Sequence, residues 1–216
     1  MKNIVIIGAS GFIGSAILKE ALKRGLKVTA IVRNTEKITI VNDLLTLKKG
    51  DVMKEDDLVN LVSGADAVVS SYNPGWTNPN IYQDTLNGYQ SIIRAVRRAG
   101  VKRLLVVGGA GSLFVKPGVR LMETGIIPES FMPGVKGLAE AYFSLLKPEK
   151  ELDWVFFSPA GNIFPGEPAG KYRLGDETLI TDEKGESRIS AGDYAVAMID
   201  EVIQEKRHRQ RMTIGY

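Results

Sequence analysis

The chain has no cysteine, and that absence removes disulfides, thiolate nucleophiles, cysteine-ligated zinc and iron–sulfur clusters together. Histidine is nearly as scarce. His208 is the single one, and it stands in a charged stretch late in the chain, which argues against a Ser-His-Asp triad. An excess of charge of one sign is missing too: 28 basic against 25 acidic residues leave a net +3. The basic residues are scattered, apart from Arg94, Arg97 and Arg98 and a short run from Lys206 to Arg211. Both groups read as solvated surface. Nucleic-acid binding needs a concentrated basic face, so no nucleic-acid partner is expected. No run reaches the roughly 18 apolar residues of a membrane span, and the first residues read directly as a strand rather than a signal sequence. A cytoplasmic protein with no membrane partner and no metal site is expected.

The 216 residues, 44% hydrophobic and 25% charged with no low-complexity run, suit a single domain over 1–216. Strand and helix patterns alternate. Strands are predicted at 3–7, 27–32, 44–48, 67–71, 103–107 and 154–158, several of them continuous apolar runs such as IVII, LLVV and WVFF. Parallel strands covered on both faces have this composition. Helices are predicted from the glycine-rich turn to about Arg24, over 55–62, 81–99, 135–146 and 191–204. Beyond Pro159 the pattern gives a hairpin of 172–174 with 178–181 and a last strand at 211–214. The fold class is therefore α/β, a doubly wound, mainly parallel Rossmann sheet with helices on both faces. Ligands are expected at the carboxyl ends of the strands. The stripe Tyr82, Leu86, Tyr89, Ile93 and Val96 reads as core or dimer interface, so monomer and homodimer both remain open.

The most informative segment is Gly8-Ala9-Ser10-Gly11-Phe12-Ile13-Gly14, between the first strand and the first helix. Gly8 is expected to make the tight turn, Gly11 to let backbone approach a pyrophosphate, and Gly14 to bring helix and strand together. The second strand ends in Arg33, where an NAD site would carry an acidic residue. An arginine suits a 2′-phosphate, so NADP(H) is expected in preference to NAD(H).

Taken with Asp51-Val52 after the third strand, Gly108-Gly109-Ala110-Gly111-Ser112 after the fifth and the late Ile189-Ser190-x-x-Asp193-Tyr194-Ala195, the chain resembles an atypical short-chain dehydrogenase/reductase. Within that superfamily Gly170-Lys171-Tyr172 and the 187–190 run are most similar to bacterial NADH-flavin reductases and the biliverdin/flavin reductase group, related to the NmrA-like regulators. The resemblance implies that Asp51 and Val52 meet the adenine and that Ser70, Ser71, Gly108 and Gly109 line the cofactor. It also implies that Ser158, Pro159 and Ala160 lie under the nicotinamide, and that Lys136 holds the nicotinamide ribose.

One departure from the family pattern is decisive. The usual members use Tyr-x-x-x-Lys, and no tyrosine here has a lysine four residues on. If Lys136 is that lysine, the phenol position is Met132, which donates no proton. Only Tyr72 or Tyr142 remains to supply a phenol from elsewhere. Hydride transfer to a flat conjugated acceptor needs chiefly alignment, and solvent can supply the proton. The expected activity is thus an NAD(P)H-dependent reductase of a flavin, bound as a small-molecule substrate rather than a prosthetic group. Ser112 and Lys136 are the candidate catalytic residues, and Trp76 and Phe114 the candidate acceptor faces. A non-catalytic cofactor sensor of NmrA-like type is the alternative. A sugar epimerase, which would need the tyrosine, ranks below both.

Overall fold

The computed structural model describes residues 2–216. Its central sheet has eight strands. Five lie in the first half of the chain: β1 (Asn3–Ile7), β2 (Lys27–Val32), β3 (Leu45–Lys49), β4 (Ala67–Ser70) and β5 (Arg103–Val107). Two short strands, β6 (Phe114–Lys116) and β7 (Val119–Arg120), pair with each other outside the sheet. The sheet resumes with β8 (Asp153–Ser158), and β9 (Asn162–Phe164) again lies outside it. After β10 (Arg173–Gly175) and β11 (Arg188–Ser190), β12 (Gln210–Gly215) completes the set. The spatial order is β10-β12-β8-β5-β4-β1-β2-β3, parallel throughout except for β10 against β12.

The alternation of side chains along each strand explains the layers. Ile4 and Ile6 of β1 enter the core beneath α1 (Phe12–Lys23) and α5 (Ala191–Gln204). Val5 and Ile7 face the other core, built by α2 (Glu55–Val62), α3 (Ile81–Arg98), α4 (Met132–Glu140) and its π-helical continuation Ala141–Leu146. Covered on both sides, the inner strands β1, β4, β5 and β8 have almost no solvent face, which is why their middles are continuous apolar runs, whereas the edge strand β3 keeps exposed polar residues. The order of connection reverses between β1 and β4, and a doubly wound sheet opens its ligand crevice at that point.

Three expectations are corrected. The hairpin of 172–174 with 178–181 does not form: β10 pairs antiparallel with β12 (Arg173↔Gly215), and Thr178 makes one isolated bridge to Phe114. The local turn signals around 175–177 are real, but the better partner lies some forty residues on. The run from Lys206 to Arg211 is not wholly solvated surface either, because β12 lies inside the sheet and takes Arg211 with it, 2% exposed. Finally, α4 begins at Met132 rather than near residue 135. Pro133 falls in the first turn, where its missing N–H costs nothing.

Candidate functional site

The glycine-rich turn is built by close approach. Gly8 has φ +79°, and a β-carbon there would stand 2.6 Å from the Ser71 carbonyl oxygen. At Gly14 a β-carbon would stand 2.2 Å from the carbonyl oxygen of Gly8, so the first turn of α1 rests directly on the strand exit. The Gly11 N–H donates to the Gly8 carbonyl at 3.0 Å and closes the turn. No side chain caps α1, whose N-cap is Gly11. Its first N–H groups, at the positive end of the helix dipole, are therefore left free of any side-chain cap, an arrangement that could hold an anion such as a pyrophosphate. Within the motif Ala9 is fully buried core, Ile13 packs partly against it, and Ser10 and Phe12 are exposed.

Beside this turn lies a cavity of about 380 Å³, within the range of small-ligand sites. Gly8, Ser10, Gly11, Arg33, Asp51, Val52 and Ser71 all line it, so residues from four separate chain segments are brought together. Asp51 accepts the Met53 N–H at 3.0 Å, which turns the chain after β3 back towards the cavity floor. Arg33 is exposed and, among the described residues, has no carboxylate within ion-pair distance. Lys37, in the single 3₁₀ turn Thr35–Lys37 that follows β2, lines the same cavity and is likewise unpaired among the described residues. Sequence reasoning missed Lys37. The signal was its spacing from Arg33, four residues on across a short turn.

None of the remaining expected residues, Ser112 and Lys136 included, lines this cavity. Ser70 is fully buried and its hydroxyl accepts the Tyr72 N–H at 3.4 Å. Gly108 is buried against Phe156, and its N–H donates to the Phe157 carbonyl at 2.8 Å. Gly109 lies over Leu138 of α4. Ser158, Pro159 and Ala160 are buried at the end of β8, and the Ser158 hydroxyl has no partner among the described residues. Lys136 is exposed on α4. Ser112 is 3% exposed and receives two hydrogen bonds from Arg211, at 3.1 Å on its carbonyl and 2.8 Å on its hydroxyl oxygen.

Neither Trp76 nor Phe114 lines the cavity. Trp76 is 52% exposed on the loop after β4, seated over Gly134 at the start of α4 and edge-on to Phe131, with ring centroids 5.3 Å apart. Phe131 is a second rim aromatic that the sequence did not single out. Phe114 lies elsewhere, with the Arg120 guanidinium 5.1 Å from its ring. The two are not brought together.

Two phenols were candidates to replace the missing tyrosine. Tyr72 lines the cavity, but its hydroxyl donates to the Asp84 carbonyl at 3.1 Å, and burial, reinforced by Asp84, pushes its pKa to about 12. Tyr142 lies beneath Arg211 and donates to Glu177 at 2.9 Å. Burial likewise raises its pKa to about 12, against the opposing pull of Arg211. Both are weaker acids than a free phenol, the opposite of what a proton donor near neutral pH requires.

A doubly wound sheet with a glycine cradle at its switch point defines a dinucleotide-binding protein of the Rossmann class. The chain belongs to the NAD(P)H-binding family, whose model matches residues 8–202, nearly its whole length. It is 37% identical to an uncharacterized Bacillus subtilis protein, YwnB, over 98% of this chain and 97% of that one. Among solved structures, one from Bacteroides thetaiotaomicron described as a "putative epimerase" is 54% identical, with a TM-score of 0.95, covering 100% of this chain and 97% of that one. Another, from Streptococcus pneumoniae and described as a "putative NADH-flavin reductase", is 35% identical with a TM-score of 0.85, covering 100% and 99%. The expected relationship to such reductases is borne out, and the chain is an NAD(P)H-binding protein of oxidoreductase type.

Proposed function

We propose that this protein is an NADPH-dependent reductase of a flavin or a similarly flat, conjugated acceptor taken up as a substrate. The observation that supports the proposal is a glycine turn built for close backbone approach on a chain in which no tyrosine has a lysine four residues on; if Lys136 is the family lysine, Met132 stands at the phenol position. The acidities of Tyr72 and Tyr142 support it, since neither offers a ready proton. The nicotinamide would supply the hydride, and a planar acceptor that takes its proton from solvent needs little beyond alignment.

The work of the chain is then positional. Backbone N–H groups at the start of α1 would hold the pyrophosphate, and Asp51 and Val52 the adenosine. Arg33 and Lys37 would share the 2′-phosphate through charge-assisted hydrogen bonds. Lys136 would hold the nicotinamide ribose over Ser158, Pro159 and Ala160, and Ser112 would hydrogen-bond the acceptor or the nicotinamide amide. Trp76, with Phe131, offers the aromatic ledge an incoming ring would meet first; Phe114 already carries Arg120 on its ring.

The test has two parts. NADPH and NADH are titrated into wild type, Arg33→Ala and Lys37→Ala, and NADPH oxidation is then followed with FMN, riboflavin, quinones and a tetrapyrrole. Each substitution should weaken NADPH by about 2 kcal/mol, some thirtyfold, and leave NADH unchanged. Equal loss for both coenzymes would remove the two residues from the phosphate role and favour NADH. At least one acceptor should speed NADPH consumption above background. If none does, the reductase reading fails. Tight coenzyme binding with a protein partner captured in one redox state only would then favour a sensor, and inversion of a sugar centre with the coenzyme unchanged would favour an epimerase.

A further inference from the structure

Arg211 is the least expected charge in the molecule. It lies on β12, in register with Phe156 of β8, and its side chain is 0% exposed. The guanidinium is 3.9 Å from the Tyr142 ring centroid and 5.4 Å from that of Phe156, so aromatic faces cover it. Glu177, itself 46% exposed, accepts one bond from it at 3.0 Å. Its Nε has no partner among the described residues. Burying an ion among aromatic rings costs several kcal/mol, and an apolar side chain of similar volume would fill the space as well. A charge kept there needs a use.

The use lies in its two bonds to Ser112. One Nη donates to the Ser112 carbonyl and the other to the Ser112 hydroxyl oxygen, so one rigid planar group grips backbone and side chain of the same residue. This fixes the side-chain torsion of Ser112. It also fixes the direction of the hydroxyl hydrogen. The guanidinium only donates, so it occupies a lone pair on Oγ, and the hydrogen must turn elsewhere. Among the described residues that hydroxyl donates to nothing. The rest of the segment is held in place independently: Gly111 packs on Val135 of α4, and the Met122 N–H donates to the Gly111 carbonyl at 2.8 Å.

We propose that Arg211 is a positioning residue that locks the Ser112 hydroxyl as a hydrogen-bond donor towards the ring that enters the crevice beyond β5. The inference rests on the reductase reading for its kinetic consequence, and its structural consequence stands without that reading. A double-mutant cycle tests the first. Ser112→Ala and Arg211→Met should each lower kcat for flavin reduction about tenfold or more, the worth of one strong hydrogen bond, with KM for NADPH unchanged. The double variant should be no slower than either single one. Arg211→Lys, which keeps a charge but only one arm, should recover part of the loss, and it replaces Arg211→Met in the cycle if that variant does not fold. Multiplied losses in the double variant, or wild-type kcat in Arg211→Met or Arg211→Lys, would overturn the proposal. The second test is a crystal structure of the folded Arg211 variant without ligand. Ser112 should leave its side-chain rotamer; an unmoved hydroxyl overturns the proposal even if wild type reduces no flavin at all.

Discussion

A methyl group at residue 14 has nowhere to go. Its carbon would fall 2.2 Å from a backbone oxygen, and backbone on both sides belongs to a strand and a helix that cannot part. Gly14→Ala should therefore cost about 2 kcal/mol or more in urea unfolding and abolish measurable NADPH binding together, because the same shift moves the N–H groups of α1. Unchanged coenzyme affinity in a folded Gly14→Ala protein would show that the turn is not the phosphate site. Gly25 makes the contrast: its φ is +73° but a β-carbon would meet nothing, so only torsional strain opposes a substitution. The functional glycines were legible in the sequence because their spacing is a motif. Gly88 was not. A β-carbon there would stand 2.2 Å from the Tyr72 ring, and nothing in a helical sequence tells that a tyrosine sixteen residues earlier packs on it.

Helix α5 shows how an element is tied to distant chain. Ser190 caps it, accepting the Asp193 N–H at 3.0 Å, and the fully buried Asp193 carboxylate accepts from Ala169 and Gly170 N–H groups and, at 2.6 Å, from the Tyr216 hydroxyl. Burial raises the pKa of Asp193, but the bonds from Tyr216, Gly170, Ala169 and Ser190 outweigh it, and the net shift is downward. A lowered carboxyl pKa contributes stability above the ordinary aspartate value, and that stability is lost as pH falls through the folded-state value. Asp193→Asn should thus destabilise by about 1–3 kcal/mol at pH 7, and the gap to wild type should narrow below about pH 4. A gap of equal size in urea titrations at pH 7 and pH 3 would contradict the assignment. The helix over 191–204 was readable in the sequence, and so were most strand and helix limits. The partners were not, since Tyr216 and the 169–170 N–H groups come from segments without pattern of their own.

The sheet as a whole is closed by residues far apart in sequence. Arg103 at the start of β5, 4% exposed, donates to Asp153 at 2.7 Å and to Glu201 at 2.6 Å, and Glu201 of α5 is as deeply buried. One arginine so ties β5, β8 and α5 at the end of the sheet remote from the glycine turn. Removing Arg103 leaves the buried Glu201 carboxylate with only Arg207, through its N–H at 2.8 Å and its guanidinium at 3.7 Å, whereas removing Glu201 as well leaves no buried carboxylate there. Arg103→Met should lower stability by about 3 kcal/mol or more, and adding Glu201→Leu should restore much of it, as read by thermal unfolding. Additive losses would mean that packing, not charge pairing, dominates there. At this scale the doubly wound order was foreseeable from alternating strands and helices. The placing of β12 between β8 and β10 was not, because local pattern favoured a nearer hairpin and a charged run suggested solvent.

The π-helical stretch Ala141–Leu146 carries a consequence of another kind. Its wider turns, marked by the Lys147 N–H donating to the Tyr142 carbonyl at 2.8 Å, accommodate more residues than an α-helix over the same rise. Deleting one residue there would make the helix more regular and rotate everything beyond the deletion by about 100°. Depending on the side cut, either Tyr142 would swing from beneath Arg211 or Leu146 would leave the core. Length in this stretch therefore matters as much as residue identity: a chain that gained or lost a single residue here would have to rebuild the packing around Tyr142 and Arg211.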